Sequence, residues 1–116
     1  MVQGARCWRE VYVAYPIGGI LLEGFVDLVV EFDDKLWIVD YKTDSIRSNE
    51  HRKLLVESYA IQCTGYALAL EGSTNRDVGG AALLFLNDVG KAPDEVLLTN
   101  LEEYKTKISN ALVETG

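Results

Sequence analysis

Three of the charged side chains between residues 24 and 43 lie within apolar stretches and could act together. Asp27 lies in the first stretch, and Asp40 and Lys42 lie in the second. Two carboxylates that face each other in a sheet repel, so a cation should offset them. Lys42 is one candidate. A divalent metal is the stronger one, because Mg2+ or Mn2+ takes hard oxygen ligands and is commonly held by one or two carboxylates plus a substrate phosphate.

The two stretches must form a hairpin to bring these charges together. Both are rich in branched and aromatic apolar residues, which favours strands, and Asp33-Asp34 supplies the turn. If the turn has two residues, Phe32 pairs with Lys35 and the register sets Asp27 opposite Asp40. Lys42 then shares their face, because side chains alternate along a strand. The turn is decisive, since a slip of one residue would move Asp27 to the other face.

The remaining elements follow from periodicity and turn residues. Residues 8–15 alternate as a first strand before a turn at 16–19, and a polar loop at 45–50 precedes a helix from about residue 51 to 70. Ser48 or Asn49 could cap this helix, and Gly72 should end it. Residues 79–87 predict a buried strand, followed by a hinge at 88–93, a short edge strand at 95–99 and a final helix to about 113 that opens with a capping box.

Gln62 is predicted to lie among apolar neighbours on the first helix. One helical stripe carries Leu55, Tyr59, Gln62, Tyr66 and Ala69, and the next carries Val56, Ala60, Cys63, Ala67 and Leu70. A buried amide is costly without a hydrogen bond, so Gln62 should have a fixed partner. The amide could tie the helix to a sheet carbonyl or to Tyr66, or it could serve the charged site.

Composition narrows the possible classes of protein. The 116 residues are 48% hydrophobic and 25% charged, which suits one domain with a core. No apolar run reaches the roughly 20 residues that span a bilayer, and no signal peptide is evident, so a cytoplasmic location without a membrane is expected. Two cysteines and one histidine exclude a cysteine-rich or multi-histidine zinc site.

The net charge of -7 argues against an autonomous nucleic-acid binder, because cationic side chains supply most non-specific affinity for phosphates. Two features weaken that objection. Several of the acidic groups would sit at the metal site. The segment 42–53 also concentrates cationic residues, which could form a local basic rim that guides a phosphate backbone: Lys42, Arg47, His51, Arg52 and Lys53.

Three motifs in order resemble the PD-(D/E)xK nucleases. They are Gly24-Phe25-Val26-Asp27, then Val39-Asp40-Tyr41-Lys42-Thr43, then Gln62-Cys63-Thr64-Gly65-Tyr66. The last matches the Gln-x-x-x-Tyr helix of the RecB and AddA type of nuclease domain, and the resemblance covers about residues 10–87. It implies an α/β fold with a restriction-endonuclease-like mixed sheet: an antiparallel meander, a crossover helix and a following strand, flanked by helices.

The resemblance also implies roles for individual residues. Asp27, Asp40 and the carbonyl of Tyr41 would bind Mg2+ or Mn2+, and Lys42 would orient water or stabilise charge on the phosphoryl oxygens. Gln62 and Tyr66 would contact DNA or steady Lys42. Thr43 and Arg47 are further substrate-binding or supporting candidates, and Glu10 on the first strand is a candidate near the site, although it could equally be an exposed edge residue.

The expected protein is therefore a Mg2+-dependent deoxyribonuclease, an exonuclease rather than an endonuclease. Residues 1–116 would be a single domain and a fragment of a larger helicase-nuclease that acts in DNA recombination and repair. Its partners would be DNA and a helicase domain or subunit. RecB-type domains usually begin with a helix that supplies a histidine or glutamate to the metal, and this sequence starts at the first strand.

Other interpretations remain open at this point. A catalytically inactive nuclease fold could serve DNA binding or complex assembly. A stand-alone restriction enzyme has less support, because the sequence has no inserted recognition segment. Asp40 and Lys42 could also be only an exposed ion pair, worth about 0 to 1 kcal/mol. We favour the site because its charges lie amid apolar residues, where unpaired charge is expensive.

Overall fold

The computed structural model describes residues 6–86 and 94–115, which form a five-stranded sheet and two helices. The elements are β1 (Arg6–Ile17), β2 (Ile20–Phe32), β3 (Lys35–Lys42), α1 (Asn49–Thr74), β4 (Val78–Phe85), β5 (Asp94–Leu98) and α2 (Leu101–Thr115). The strands lie in the sheet in the order of the sequence. Only β3 and β4 pair in parallel within this described sheet, because α1 crosses between them. The predicted mixed α/β sheet is confirmed.

Both hairpins close with two-residue turns whose backbone is left-handed. Asp33 and Asp34 have φ angles of 56° and 61°, and Gly18 and Gly19 have 57° and 79°. Positive φ at both positions is the condition for a type I′ turn, which matches the twist of the flanking strands. Phe32 consequently pairs with Lys35. The predicted register of the β2–β3 hairpin is confirmed.

The β1–β2 hairpin is irregular in its middle. Glu10 has a φ of 52°, and neither Glu10 nor Asp27 is paired in the ladder between these strands. Val26 and Val29 are both buried although they are three residues apart, so the alternation of β2 shifts by one residue between them. The register is the same on both sides of this point, so no residue is inserted in either strand. Asp27 lies at the point where the burial alternation of β2 shifts.

Helix α1 covers one face of the sheet. Its buried residues recur at helical spacing, as Ala60, Cys63, Ala67 and Leu70. They meet a core that is built mainly from β2, β3 and β4, including Val26, Val29, Ile38, Leu83 and Phe85. The second of the two predicted helical stripes is the more deeply buried, and Leu55, Tyr59 and Tyr66 of the first are half-buried against the same core.

The bounds of α1 differ from those predicted. Ser48 is the N-cap, and its hydroxyl accepts a hydrogen bond from the N–H of His51 at 3.0 Å. The helix passes through Gly72 and ends at Thr74, where Asn75 takes the left-handed conformation. The expectation that Gly72 ends the helix was wrong. A Cβ at Gly72 would lie 2.9 Å from the Tyr15 ring, so the glycine permits close packing instead.

Helix α2 lies against α1. Leu101 is buried, and Lys105 forms an ion pair with Glu71 of α1. No helix among residues 6–86 and 94–115 is long and apolar enough to cross a membrane. Asn87 and the predicted hinge at 88–93 lie outside the described residues.

Candidate metal and nuclease site

Asp27 and Asp40 face each other where β2 and β3 separate. The ladder between these strands ends at Leu28 and Val39, one step before the two aspartates. Beyond that step, Asp27 Oδ2 accepts a hydrogen bond from the backbone N–H of Tyr41 at 2.8 Å. The carboxylate thus takes the place of a ladder bond, and Asp27 comes within hydrogen-bonding reach of Asp40. The two aspartates lie close together, as the hairpin register predicted.

Asp40 is a buried carboxyl group with an incompletely satisfied oxygen. The residue is only 4% exposed, and Oδ2 lies 2.8 Å from Lys42 Nζ. Nevertheless, no donor among the described residues is aligned for a hydrogen bond to that oxygen. Burial and the neighbouring Asp27 raise the pKa of Asp40, against the lowering effect of Lys42. The site therefore has an excess of negative charge that one lysine does not fully offset.

Lys42 has three neighbours around its ammonium group. Besides Asp40, Nζ donates a hydrogen bond to Gln62 Oε1 at 2.8 Å and lies 3.9 Å from the centre of the Tyr59 ring. Nζ thus makes a hydrogen bond to Gln62, an ion pair with Asp40 and a cation-π contact with Tyr59. The side chain is only 13% exposed. Lys42 is held beside the acidic pair rather than projecting into solvent.

Gln62 fills one of the two roles considered for it. Its amide oxygen contacts Lys42, so α1 is tied to the end of β3. The expectation that Gln62 is buried among apolar side chains was wrong, because the residue is exposed. The core-facing stripe of α1 passes through Cys63 and Ala67, and Gln62 lies beside that stripe, at the border between the core and the site.

Tyr66 lies over β2 next to the acidic pair. A Cβ at Gly24 would be 2.9 Å from the Tyr66 hydroxyl oxygen, so the absence of a side chain there lets the ring approach the strand. Burial, with further contributions from the negative charge of Asp40 and Asp27, raises the pKa of the Tyr66 hydroxyl. The third motif is thus brought beside the first, as the resemblance implies.

The sequence did not single out Tyr59 and Asp44 as site residues. The Tyr59 hydroxyl donates a hydrogen bond to Asp44 Oδ1 at 2.7 Å, and this bond, with burial, raises the pKa of Tyr59 to about 12. The sequence could have identified Tyr59, because it precedes Gln62 by three residues on the same helical stripe. Asp44 follows the second motif directly, but nothing in its spacing indicates this contact.

The other predicted site residues lie around this centre. Thr43 and Arg47 are exposed in the segment between β3 and α1, and the Arg47 backbone N–H donates to His51 Nδ1 at 3.1 Å. The Tyr41 N–H is bound by Asp27, and the Tyr41 side chain is exposed. Glu10 is exposed on β1, at the position that the β1–β2 register sets opposite Asp27.

The basic rim is smaller than predicted. Arg52 makes a two-pronged ion pair with Asp94 of β5, at 2.8 and 3.0 Å, and Lys42 is paired with Asp40. His51 serves the start of α1 as a hydrogen-bond acceptor. Arg47 and Lys53 are the exposed cations of this segment. Sequence proximity to Lys42 did not reveal the partner of Arg52, because Asp94 comes from the far end of the sheet.

The donor atoms fit a divalent metal, although two side chains alone do not complete a shell. Asp27 and Asp40 bring hard carboxylate oxygens together, and the buried Oδ2 of Asp40 lacks an aligned donor. Within the described parts of the chain, no group of three or more His, Cys, Asp or Glu side chains is arranged to hold a metal. Backbone carbonyl, water or phosphate oxygens would have to supply the remaining ligands.

Known proteins share this sequence pattern. An ATP-dependent helicase/nuclease subunit from Ligilactobacillus salivarius is 37% identical over 73 residues, which cover 63% of this chain and 6% of that protein. The corresponding helicase/nuclease subunit from Bacillus pumilus is 32% identical over 87 residues, which cover 68% of this chain and 7% of that protein. The chain thus spans only about one-fifteenth of the length of these relatives.

A solved structure shares the fold. The crystal structure of SSO0001 superposes with a TM-score of 0.55 over 95% of this chain and 51% of that chain, at 14% sequence identity. At the sequence level, the model of the PD-(D/E)XK nuclease superfamily matches residues 2–115. The motif-based identification is therefore confirmed: the chain belongs to the PD-(D/E)XK nuclease superfamily.

Proposed function

We propose that the chain is a metal-dependent DNA nuclease domain that hydrolyses phosphodiester bonds. The observation that carries this proposal is the buried Asp40, held against Asp27 and Lys42 where β2 and β3 separate. A folded protein gains nothing in stability from two neighbouring carboxylates in a buried place. A site for Mg2+ or Mn2+ explains why both are there.

Each residue of the site would have its own role in the reaction. Asp27 and Asp40 would hold the metal with the Tyr41 carbonyl, and the bound metal would supply positive charge that polarises the scissile phosphate. Lys42 would present an N–H to the oxygen on which negative charge develops. Gln62 holds Lys42 at 2.8 Å and so limits the positions that its ammonium group can take. Glu10 is the weakest candidate in this arrangement.

DNA would approach along the exposed segment between β3 and α1. Thr43 and Arg47 lie there and are exposed, as is Lys53 at the start of α1. An arginine suits a phosphate because its planar group can donate two parallel hydrogen bonds. The overall charge of -7 makes a locally guided contact necessary. We infer that Arg47 makes the main phosphate contact outside the metal site.

The names of the relatives support a larger setting. They are subunits of helicase/nucleases, of which this chain matches a small part. We propose that the chain is the nuclease portion of such a protein, working in the cytoplasm with a helicase domain or subunit in DNA recombination and repair. In that setting it would act on strand ends delivered by the helicase, as an exonuclease.

The test is cleavage of linear single-stranded and double-stranded DNA in the presence of Mg2+ or Mn2+. Asp40→Ala should abolish cleavage, and Lys42→Met should lower it about 100-fold or more, by loss of charge stabilisation at the transition state. Lys35→Met is the matched control, since Lys35 begins the same strand and is exposed. Equal activity in the parent protein and in Lys42→Met would contradict the proposed role of Lys42.

A second candidate function is a catalytically silent nuclease fold that binds DNA or assembles a complex. It is favoured by the small number of acidic ligands that the described residues bring together. Mn2+ titration followed by heat denaturation separates the two. An active nuclease should both gain stability with Mn2+ and cleave DNA. Stabilisation by Mn2+ without cleavage, at any protein concentration, would favour the silent fold.

A further inference from the structure

Lys42 rests on an aromatic ring that belongs to none of the three motifs. Its Nζ lies 3.9 Å from the centre of the Tyr59 ring, well within the distance at which a cation is attracted to an aromatic face. The lysine side chain is only 13% exposed, so this attraction is screened less than it would be at the surface. The ring therefore forms the third side of the ammonium site, with Asp40 and Gln62 on the other two.

Tyr59 is itself held from two directions. Its hydroxyl donates to Asp44 Oδ1 at 2.7 Å, and its ring lies 6.3 Å from the ring of Phe85, at an angle of 48°. Phe85 is buried at the end of β4, and it pairs with Lys42 in the parallel ladder. The raised pKa of Tyr59 keeps the hydroxyl protonated as a donor at neutral pH. The ring can thus neither tilt nor slide freely away from Lys42.

This ring contact differs in kind from the other two contacts. Gln62 accepts a hydrogen bond from one N–H of Lys42, and Asp40 forms an ion pair with the ammonium group, so both contacts are made through oxygen atoms. A ring face attracts the whole ammonium charge with little demand on the direction of any one N–H. An N–H can therefore turn toward a substrate while the position of the nitrogen is kept.

We propose that Tyr59, fixed by Asp44, is a positioning residue that holds the Lys42 ammonium group against the acidic pair. This inference rests on the nuclease function proposed above, since it names two further residues of the same site. Tyr59 touches Lys42 and would not touch the reacting atoms. Asp44 would act one step further out, through its hydrogen bond to the Tyr59 hydroxyl.

The first test needs no nuclease activity. In the parent chain, labelled at lysine, the methylene protons of Lys42 next to the nitrogen should resonate upfield of those of the other lysines, because they lie over the Tyr59 ring. Tyr59→Leu should abolish that shift, and Tyr59→Phe should keep most of it. Tyr104→Leu is the matched control: Lys107 lies 5.5 Å from the Tyr104 ring, far from Lys42 in the sequence, so Lys42 should be unaffected.

The second test is kinetic and uses a double-mutant cycle. Tyr59→Leu should lower kcat about tenfold and leave KM within about twofold, the size expected if a partly desolvated cation-π contact is lost. Tyr59→Phe keeps the ring but loses the bond to Asp44, so a decrease of about threefold is expected. In the Lys42→Met background, Tyr59→Leu should have no further effect on kcat, because it acts only through the lysine.

Each outcome decides a separate point. An unshifted Lys42 in the parent chain, or an equal loss of kcat from Tyr59→Leu with and without Lys42, would overturn the proposal. The second result would assign Tyr59 a general packing role. If the parent chain shows the shift and its loss in Tyr59→Leu but does not cleave DNA, the nuclease function fails while the positioning of Lys42 by Tyr59 stands.

Discussion

At Asp40, the arrangement proposed for metal binding is unfavourable for the stability of the fold. This residue is buried, faces a second carboxylate, and has an oxygen that no described donor is aligned with. Burial and Asp27 raise its pKa more than Lys42 lowers it, so folding makes this carboxyl group harder to ionise. A charge in such a place costs stability at neutral pH unless a cation arrives.

Asp40→Asn should therefore make the protein more stable at pH 8. A carboxyl group with a raised pKa in the folded state contributes most at low pH, and that contribution is lost as pH rises through the folded pKa. The asparagine does not ionise, so its advantage should be on the order of 1 kcal/mol at pH 8, and it should disappear below about pH 4. Urea denaturation across this pH range measures it.

Asp34→Asn is the control for this prediction. Asp34 is exposed in the same hairpin, with a φ of 61° that asparagine tolerates well, so its stability should change by less than about 0.5 kcal/mol. If Asp40→Asn were less stable than the parent at pH 8, the attraction of Lys42 would outweigh burial, and the inferred excess of negative charge at the site would be wrong.

The sequence predicted which charges meet but not what surrounds them. Asp27, Asp40 and Lys42 follow from a short turn and strand alternation, both of which are local. Tyr59, Asp44 and the pairing of Arg52 with Asp94 depend on how α1 lies over the sheet. A glutamate does not favour a positive φ, so no sequence pattern predicted the backbone conformation of Glu10.

At the scale of elements, the site depends on how closely α1 approaches β2. Gly24 of β2 and Tyr66 of α1 are in contact, and an added Cβ would lie 2.9 Å from the Tyr66 oxygen and 3.0 Å from a ring carbon. The Tyr66 ring would have to shift to make room for that Cβ. The glycine of the first motif and the tyrosine of the third therefore pack directly against each other.

Gly24→Ala should destabilise the protein by about 1 to 3 kcal/mol, the usual cost of overpacking, and should lower the proposed nuclease activity by displacing Tyr66. Gly65→Ala is the matched control on α1. Its Cβ would lie 3.4 Å from Leu22, an ordinary contact, and alanine favours a helix over glycine by about 1 kcal/mol. Heat denaturation and DNA cleavage of both variants give the comparison. Equal stability of the two would refute the proposed contact.

The existence and order of the elements could be predicted, and their ends could not. Strand alternation and helical spacing extend over many residues, so single exceptions do not hide them. The end of α1 depends on one cap, and Gly72 looked like that cap although it packs against Tyr15. Asn75 takes the left-handed position instead, three residues later.

At the scale of the whole molecule, one glutamate joins three elements. Glu71, near the end of α1, pairs with Lys105 of α2 at 2.6 Å, and its other oxygen accepts the backbone N–H of Val78 at the start of β4 at 3.0 Å. Lys105 also contacts Glu102 at 2.7 Å and is only 11% exposed. This junction links α2 to the end of α1 and to the start of β4.

Lys105→Met should destabilise the protein by about 1 to 3 kcal/mol, because it leaves Glu71 partly buried without its cation. Lys107→Met is the matched control, since Lys107 is two-thirds exposed and lies 3.4 Å from Glu103, also exposed. That change should cost less than about 1 kcal/mol. Denaturant titration of both variants checks the difference, and similar losses would mean that the junction carries no special weight.

The two-residue turn at Asp33 and Asp34 also bears on how the protein folds. The contact between Asp27 and Tyr41 closes through this hairpin, and hairpins form within about 1 to 10 μs. Lys42 meets Gln62 only after α1 has crossed the sheet, and such non-local pairing is slower. The two carboxylates should thus be brought together before the helix delivers the groups that steady Lys42. Their repulsion would then act on the rate of folding as well as on the final stability.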